Sequence, residues 1–78
     1  MIKLSNISNN KTVISVNVES YETNPIQKYQ LVFDVNTQKF KASIPDPDIF
    51  DVSKIIHKLS SYIENGQSLP EIDCIACY

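Results

Sequence analysis

Arginine is absent from the sequence, and all seven basic residues are lysines, set against nine acidic residues. Arginine supplies the bidentate contacts to phosphates and guanine edges on which many nucleic-acid-binding proteins depend. A formal net charge of -2 also gives no basic surface that would displace counterions from a phosphate backbone. We therefore expect that nucleic acid is not a partner.

Glycine is nearly absent too, since Gly66 is the only one. Phosphate-binding loops of the Walker and dinucleotide types need several glycines, so the sequence excludes both. Asp46, Asp48 and Asp51 lie close together, but the glycine and the bidentate glutamate of a calcium-binding loop do not accompany them. We expect these aspartates to cap a helix instead, and we expect no cofactor.

Long apolar runs are missing, which argues against a transmembrane helix and predicts no membrane partner. The opening stretch MIKLSNISNN lacks the apolar core of a signal peptide, which predicts that the protein is not exported. Two cysteines without an export signal favour a reducing compartment. We therefore expect a cytoplasmic location.

Alternation of apolar and polar residues is the clearest pattern in the 78 residues, which we assign to a single domain, 1–78. Three segments have apolar side chains at every second position, a period typical of half-buried β-strands. Their inward-facing residues are Ile14, Val16 and Val18; Tyr29, Leu31, Phe33 and Val35; and Phe40, Ala42 and Ile44. Ile2 and Leu4 predict a weaker first strand, followed by a hairpin turn at Asn9-Asn10. The connections are too short for crossover helices, so the strands should be antiparallel.

A helical period follows the strands. Its apolar positions are Val52, Ile55, Ile56, Leu59 and Ile63. The aspartates before it and Gly66 after it suit the two ends of a helix. We therefore predict the α+β class, with a four-stranded antiparallel meander sheet and one helix packed on one face. The tail EIDCIACY can add a short fifth strand at a sheet edge.

Cys74 and Cys77 form a C-x-x-C pair near the C-terminus. Thiolates at this spacing bind zinc, but a full site needs two more ligands, which a second copy of the chain could supply. A redox pair would need a helix amino terminus to lower the thiol pKa, and no helix follows the pair. Two further interpretations remain: the modified end of a peptide precursor, or two small apolar side chains.

His57 is the only histidine, and the sequence pattern places no nucleophile and acid beside it. The helical period puts this histidine on the solvent side, so we predict that the protein is not an enzyme. Tyr21, Val32 and Val13 fall on the polar face of the predicted sheet. Because tyrosine is enriched at interfaces, these three residues are candidates for a protein-binding patch.

Protein recognition is the function that these exclusions leave. We predict a small non-catalytic protein-binding module, an inhibitor or adaptor of the kind that phages and mobile elements encode, acting through an exposed sheet face or edge. A homodimer through the same surface is also open, because so small a chain gains stability from a partner. The alternatives are a dimer linked by zinc at the C-x-x-C pair and a peptide precursor modified at its C-terminus.

Overall fold

The computed structural model describes residues 1–76 and has a five-stranded antiparallel sheet with one helix. The elements are β1 (Ile2–Asn10), β2 (Val13–Ser20), β3 (Gln27–Asp34), β4 (Phe40–Ala42), α1 (Ile49–Glu64) and β5 (Asp73–Ile75). The strands lie in the order β4-β3-β2-β1-β5, so β4 and β5 are the two edges of the sheet. The predicted α+β fold, its meander and its fifth strand are confirmed.

The core lies between α1 and the sheet face that the helix covers. Alternate strand positions supply one side of this core, as the period of two predicts. The buried strand residues are Ile2, Leu4, Ile7, Ile14, Val16, Val18, Tyr29, Leu31 and Phe33, and those of the helix are Val52, Ile55, Ile56 and Leu59. The opposite face of the sheet is left without a covering layer.

Two residues predicted to be inward-facing are less buried than expected. Phe40 is 38% exposed because it lies on an edge strand, where no further strand covers its outer side. Ile63 is also 38% exposed, since it lies in the last turn of α1, where the chain turns away. The predicted third alternating segment is correspondingly shorter, with only Phe40–Ala42 in strand conformation.

The first hairpin turns later than predicted. Asn10 pairs with Val13, so the two-residue turn consists of Lys11 and Thr12 rather than Asn9-Asn10. Lys11 takes the positive φ of this turn, 59°. The prediction of a tight hairpin is right and its position is wrong, because the strand continues through the two asparagines.

A β-bulge interrupts β1 at Asn6, whose φ is 49°. The extra residue shifts the side-chain alternation by one position. Ile7 therefore points into the core with Ile2 and Leu4. The Ile7 amide donates to the carbonyl of Glu71 at 3.1 Å, so the bulge also contacts the segment before β5.

Helix α1 begins and ends at the residues that its sequence predicts. The Asp48 side chain is the N-cap and accepts hydrogen bonds from the amides of Phe50 and Asp51 at 2.9 and 3.3 Å. Asn65 closes the helix, and Gly66 follows with a φ of 68°. No helix among residues 1–76 is long and apolar enough to cross a membrane.

Candidate functional site

The structure brings together two of the three residues predicted to form a binding patch. Val13 is paired with Asp34 and Val32 with Ser15, so the two valines are diagonal neighbours across β2 and β3. Val13 is 38% exposed and Val32 is half-buried. They line a shallow depression of about 540 Å³ on the uncovered face, which extends to β4.

Tyr21 lies apart from that pair. It follows β2 at the end opposite Val13, and eight residues of extended chain span roughly 26 Å. Its hydroxyl donates to Glu19 Oε2 at 2.7 Å, and Lys3 Nζ lies 5.4 Å from its ring centre. The hydrogen bond to Glu19 is the main cause that raises the Tyr21 pKa, with burial and the Glu19 charge contributing less. Tyr21 therefore belongs to a separate surface.

Of the two predicted metal ligands, Cys77 lies outside the described residues. Cys74 is half-buried in β5 and is not a free thiol. Residues 1–76 hold no group of three or more histidine, cysteine or carboxylate side chains that could bind a metal ion. The zinc-linked dimer and the peptide precursor stay predictions, which zinc content after Cys74→Ser and intact mass from the native host would test.

His57 is exposed, as predicted, and lines a groove between α1 and β4. This places it at one edge of the sheet, while Cys74 lies in β5 at the other. The next helix residue, Lys58, lies on the opposite flank of α1 and reaches the Cys74 carbonyl, and residues 1–76 hold no group of three or more metal-binding side chains that includes His57 and Cys74.

Two residues of β4 have backbone N–H and C=O groups that point away from the sheet. Asp34 N donates to Lys39 O, and Ser43 N donates to Gln30 O, both at 3.0 Å. In an antiparallel ladder such hydrogen-bonded pairs alternate with pairs whose N–H and C=O groups point away from the partner strand. Phe40 and Ala42, opposite Phe33 and Leu31, occupy these alternate positions. Their N–H and C=O groups are consequently directed away from the sheet.

The other edge, β5, differs in this respect. In β5 the backbone groups of Ile75 and Asp73 point toward β1, where they pair with Ile2 and Leu4. By the same alternation the N–H and C=O groups of Cys74, which lies between them, point away from the sheet. The Cys74 carbonyl accepts a hydrogen bond from Lys58 Nζ at 2.7 Å, and the Cys74 amide donates to Asp73 Oδ1 at 2.8 Å. Side chains thus satisfy the outward backbone groups of β5, which leaves β4 as the edge that can accept another strand.

A groove runs between β4 and the flank of α1. Its volume is about 580 Å³. The apolar residues that line it are Phe40, Ile49, Val52 and Ile56, and the polar ones are Gln38, Ser53, His57, Ser60 and Glu64. Ser60 is buried, and its hydroxyl has no hydrogen-bond partner within residues 1–76. An apolar floor with a polar rim suits a side chain that enters from an adjacent strand.

The turn before β4 fixes the position of this edge. The Asp34 carboxylate accepts hydrogen bonds from the amides of Asn36 and Thr37 at 2.8 and 3.2 Å, and from the Thr12 hydroxyl at 3.2 Å. The two amide bonds are the main causes that lower the Asp34 pKa. Gln38 then takes a positive φ of 64°, which redirects the chain into β4.

Sequence analysis named Val13 and Val32 but did not predict Phe40 as a surface residue. The alternation of its segment assigns Phe40 to the covered face of the sheet. That assignment is right, and the helix simply does not extend over the edge. The strand order itself offers the missing signal, since the fourth strand of a meander has a neighbour on one side only.

A buried polar cluster lies elsewhere, beneath the first turn of α1. The Ser20 hydroxyl donates to Asp51 Oδ2 at 2.5 Å, and both residues are buried. Burial raises the pKa of the nearby Tyr29 to about 12, and the charges of Asp51 and Asp48 contribute to the shift. The Tyr29 hydroxyl has no hydrogen-bond partner within the described part of the chain. We assign this cluster to the packing of α1 on the sheet.

Comparisons with protein-family models, with curated proteins and with solved structures found no match.

Proposed function

We propose that the protein is a small non-catalytic protein-binding module that accepts an extended segment of a partner protein as an additional strand beside β4. One observation carries the proposal: the outward-directed backbone groups of Phe40 and Ala42 lie beside an apolar groove. Edge strands bind extended peptides in this way, with main-chain hydrogen bonds giving affinity and alternate side chains giving specificity. Inhibitors and adaptors both act through contacts of this kind.

The surroundings of β4 favour this mode on both faces of the sheet. Side chains of an added strand alternate between the faces. Those opposite Phe40 and Ala42 would enter the groove beside α1, and those between them would lie over the depression that Val13 and Val32 line. Two of the residues predicted from sequence thus become part of the proposed contact, and Tyr21 does not.

A matched pair of helix variants tests the proposal. Ser53 is exposed and lines the groove, so Ser53→Arg fills it without disturbing the core. Ser61 lies on the same helix, eight residues further on, where its hydroxyl donates to the Lys58 carbonyl and its side chain does not line the groove. Ser61→Arg therefore adds the same side chain outside the groove.

Affinity capture from the native host should retain one protein in stoichiometric amount on the wild type and on Ser61→Arg, and lose it on Ser53→Arg. Circular dichroism first establishes that all three baits are folded. No capture by the folded wild type, or equal capture by Ser53→Arg, contradicts the proposal. A cytoplasmic location stays a prediction, which fractionation of the same host would test.

A further inference from the structure

Lysines occupy the uncovered face of the β4 edge. Lys41 stands opposite Val32, and Lys39 stands opposite Asp34, so both side chains lie on the face away from α1. Both are exposed. The ion pairs within residues 1–76 join the amino terminus to Glu22 and Lys58 to Asp73, so neither edge lysine is in an ion pair there.

Asp34, the acidic residue that lines the same depression as these lysines, is engaged in the turn. Asp34 accepts hydrogen bonds from two amides and the Thr12 hydroxyl, as described above. Its carboxylate therefore faces back into the turn that it stabilises. Asp34 keeps its negative charge, so two lysines against one carboxylate leave a small positive excess on the uncovered face of the β4 edge, in a protein whose formal net charge is -2.

We propose that the segment bound at β4 has acidic residues at alternate positions with apolar residues between them, an inference that rests on the proposed function. Its acidic side chains lie opposite Lys39 and Lys41 on the uncovered face. Its apolar side chains lie opposite Phe40 and Ala42 and enter the groove beside α1. Opposite charges on directly paired residues stabilise adjacent strands, and like charges destabilise them.

The same charges disfavour a second copy of the chain as the occupant. When two β4 strands pair antiparallel about a twofold axis at Phe40, each Lys39 stands opposite the other chain's Lys41. When the axis lies at Lys41, that residue stands opposite itself. Both of these registers set like charges against each other, which is how lysines on edge strands prevent self-association. An axis at Ala42 avoids the clash, but it pairs Phe40 with Ile44, which lies beyond the end of β4. An acidic, apolar segment of another protein has no such conflict.

Two synthetic heptapeptides test the inference, each acetylated and amidated so that the ends are neutral. One alternates glutamate with valine, and the other alternates lysine with valine. Both are titrated into the full protein labelled with ¹⁵N, and dissociation constants are taken from the amide signals of Phe40 and Ala42. Each favourable pair contributes about 1.5-fold to 5-fold in affinity, so we expect the glutamate peptide to bind at least about 3-fold more tightly.

Charge reversal on the protein separates recognition from general attraction. Lys41→Glu should remove the preference, because each peptide then meets one favourable charge and one unfavourable charge. Lys54→Glu changes the net charge by the same amount on the exposed side of α1 and should preserve the order. The preference should also weaken as salt is raised, since these charges are exposed.

Three results overturn the inference. If the two peptides shift the amide signals of Phe40 and Ala42 equally, the β4 edge accepts a strand without discriminating by charge. The proposed function then stands. If Lys41→Glu leaves the preference unchanged, the lysines serve only to prevent self-association. If the glutamate peptide shifts neither amide at millimolar concentration, acidic recognition fails, and capture by the Ser53→Arg and Ser61→Arg baits decides the proposed function independently.

Discussion

At the scale of single residues, burial separates the positions that support the fold from those that form the candidate edge. Phe33 is 1% exposed at the centre of the core, whereas Lys41 is exposed on the neighbouring strand. Phe33→Ala should lower the free energy of unfolding by about 3–5 kcal/mol, through lost burial and the cavity it leaves. Lys41→Ala should change it by less than about 0.5 kcal/mol. Urea denaturation measures both, and a small loss for Phe33→Ala would contradict the assignment of the core.

Tyr29 gives the protein a predictable loss of stability at alkaline pH. Burial raises its pKa from 10.0 to about 12, so the folded state holds the phenol proton more tightly than the unfolded state does. The resulting stabilisation is fully present below pH 10 and is lost as the pH rises through 12. Tyr29→Phe should reduce this loss, because it removes the titrating group.

At pH 7 the same variant should be as stable as the wild type or more stable, by up to about 1–3 kcal/mol, since the buried hydroxyl that it removes has no hydrogen-bond partner within residues 1–76. Urea unfolding at pH 7 and at intervals between pH 9 and 12 measures both effects. Tyr21→Phe, at an exposed position, is the comparison and should keep most of the alkaline loss.

At the scale of elements, the features predicted correctly from the sequence are those that depend on residues close together in the chain. The alternation of β2 and β3 and the helical stripe of α1 follow from side-chain period, and Asp48 and Gly66 mark the helix ends through backbone chemistry. Three features could not be predicted this way. Which edge strand can accept another strand depends on which backbone carbonyl the Lys58 side chain contacts. The exposure of Phe40 depends on how far α1 extends. The contact between Ser20 and Asp51 joins residues 31 positions apart.

The bulge at Asn6 is a further case, and it yields a prediction. Asparagine tolerates a positive φ, but nothing in the alternation of β1 shows where that conformation falls. Asn6→Val should lower stability by about 1–2 kcal/mol, because a β-branched residue is strained at a φ of 49°. Asn6→Gly should change it little, since glycine adopts this conformation freely. Equal urea midpoints for the two variants would show that the bulge does not constrain this residue.

At the scale of the whole molecule, the two edges of one sheet differ in the contacts of their backbone groups. Contacts from Lys58 and Asp73 satisfy the backbone of β5, and the core anchors that strand through Ile75. Strand β4, by contrast, combines outward-directed backbone groups with a groove beside α1 and a depression on the uncovered face. Since β4 is three residues long, it offers few backbone hydrogen bonds. In the proposed mode of binding, affinity as well as specificity would therefore depend on the side chains on either side of β4.

This asymmetry predicts the oligomeric state. If like charges at the β4 edge oppose self-pairing, the wild type should be a monomer at micromolar concentration. Lys39→Glu should promote a dimer, because pairing about a twofold axis at Phe40 then sets each introduced glutamate against the other chain's Lys41. Two repulsive pairs become two attractive ones, so the association constant should rise at least about 3-fold.

Sedimentation velocity measures the change, and the double variant Lys39→Glu, Lys41→Glu is the control. Its pairs are again alike in charge, so the dimer should be lost. A wild type that is already dimeric, with the dimer broken by Ser53→Arg, would instead make a second copy of the chain the occupant of the β4 edge. In that case the homodimer expected as an alternative from the sequence would be the functional form, and the lysines would have to find partners within it.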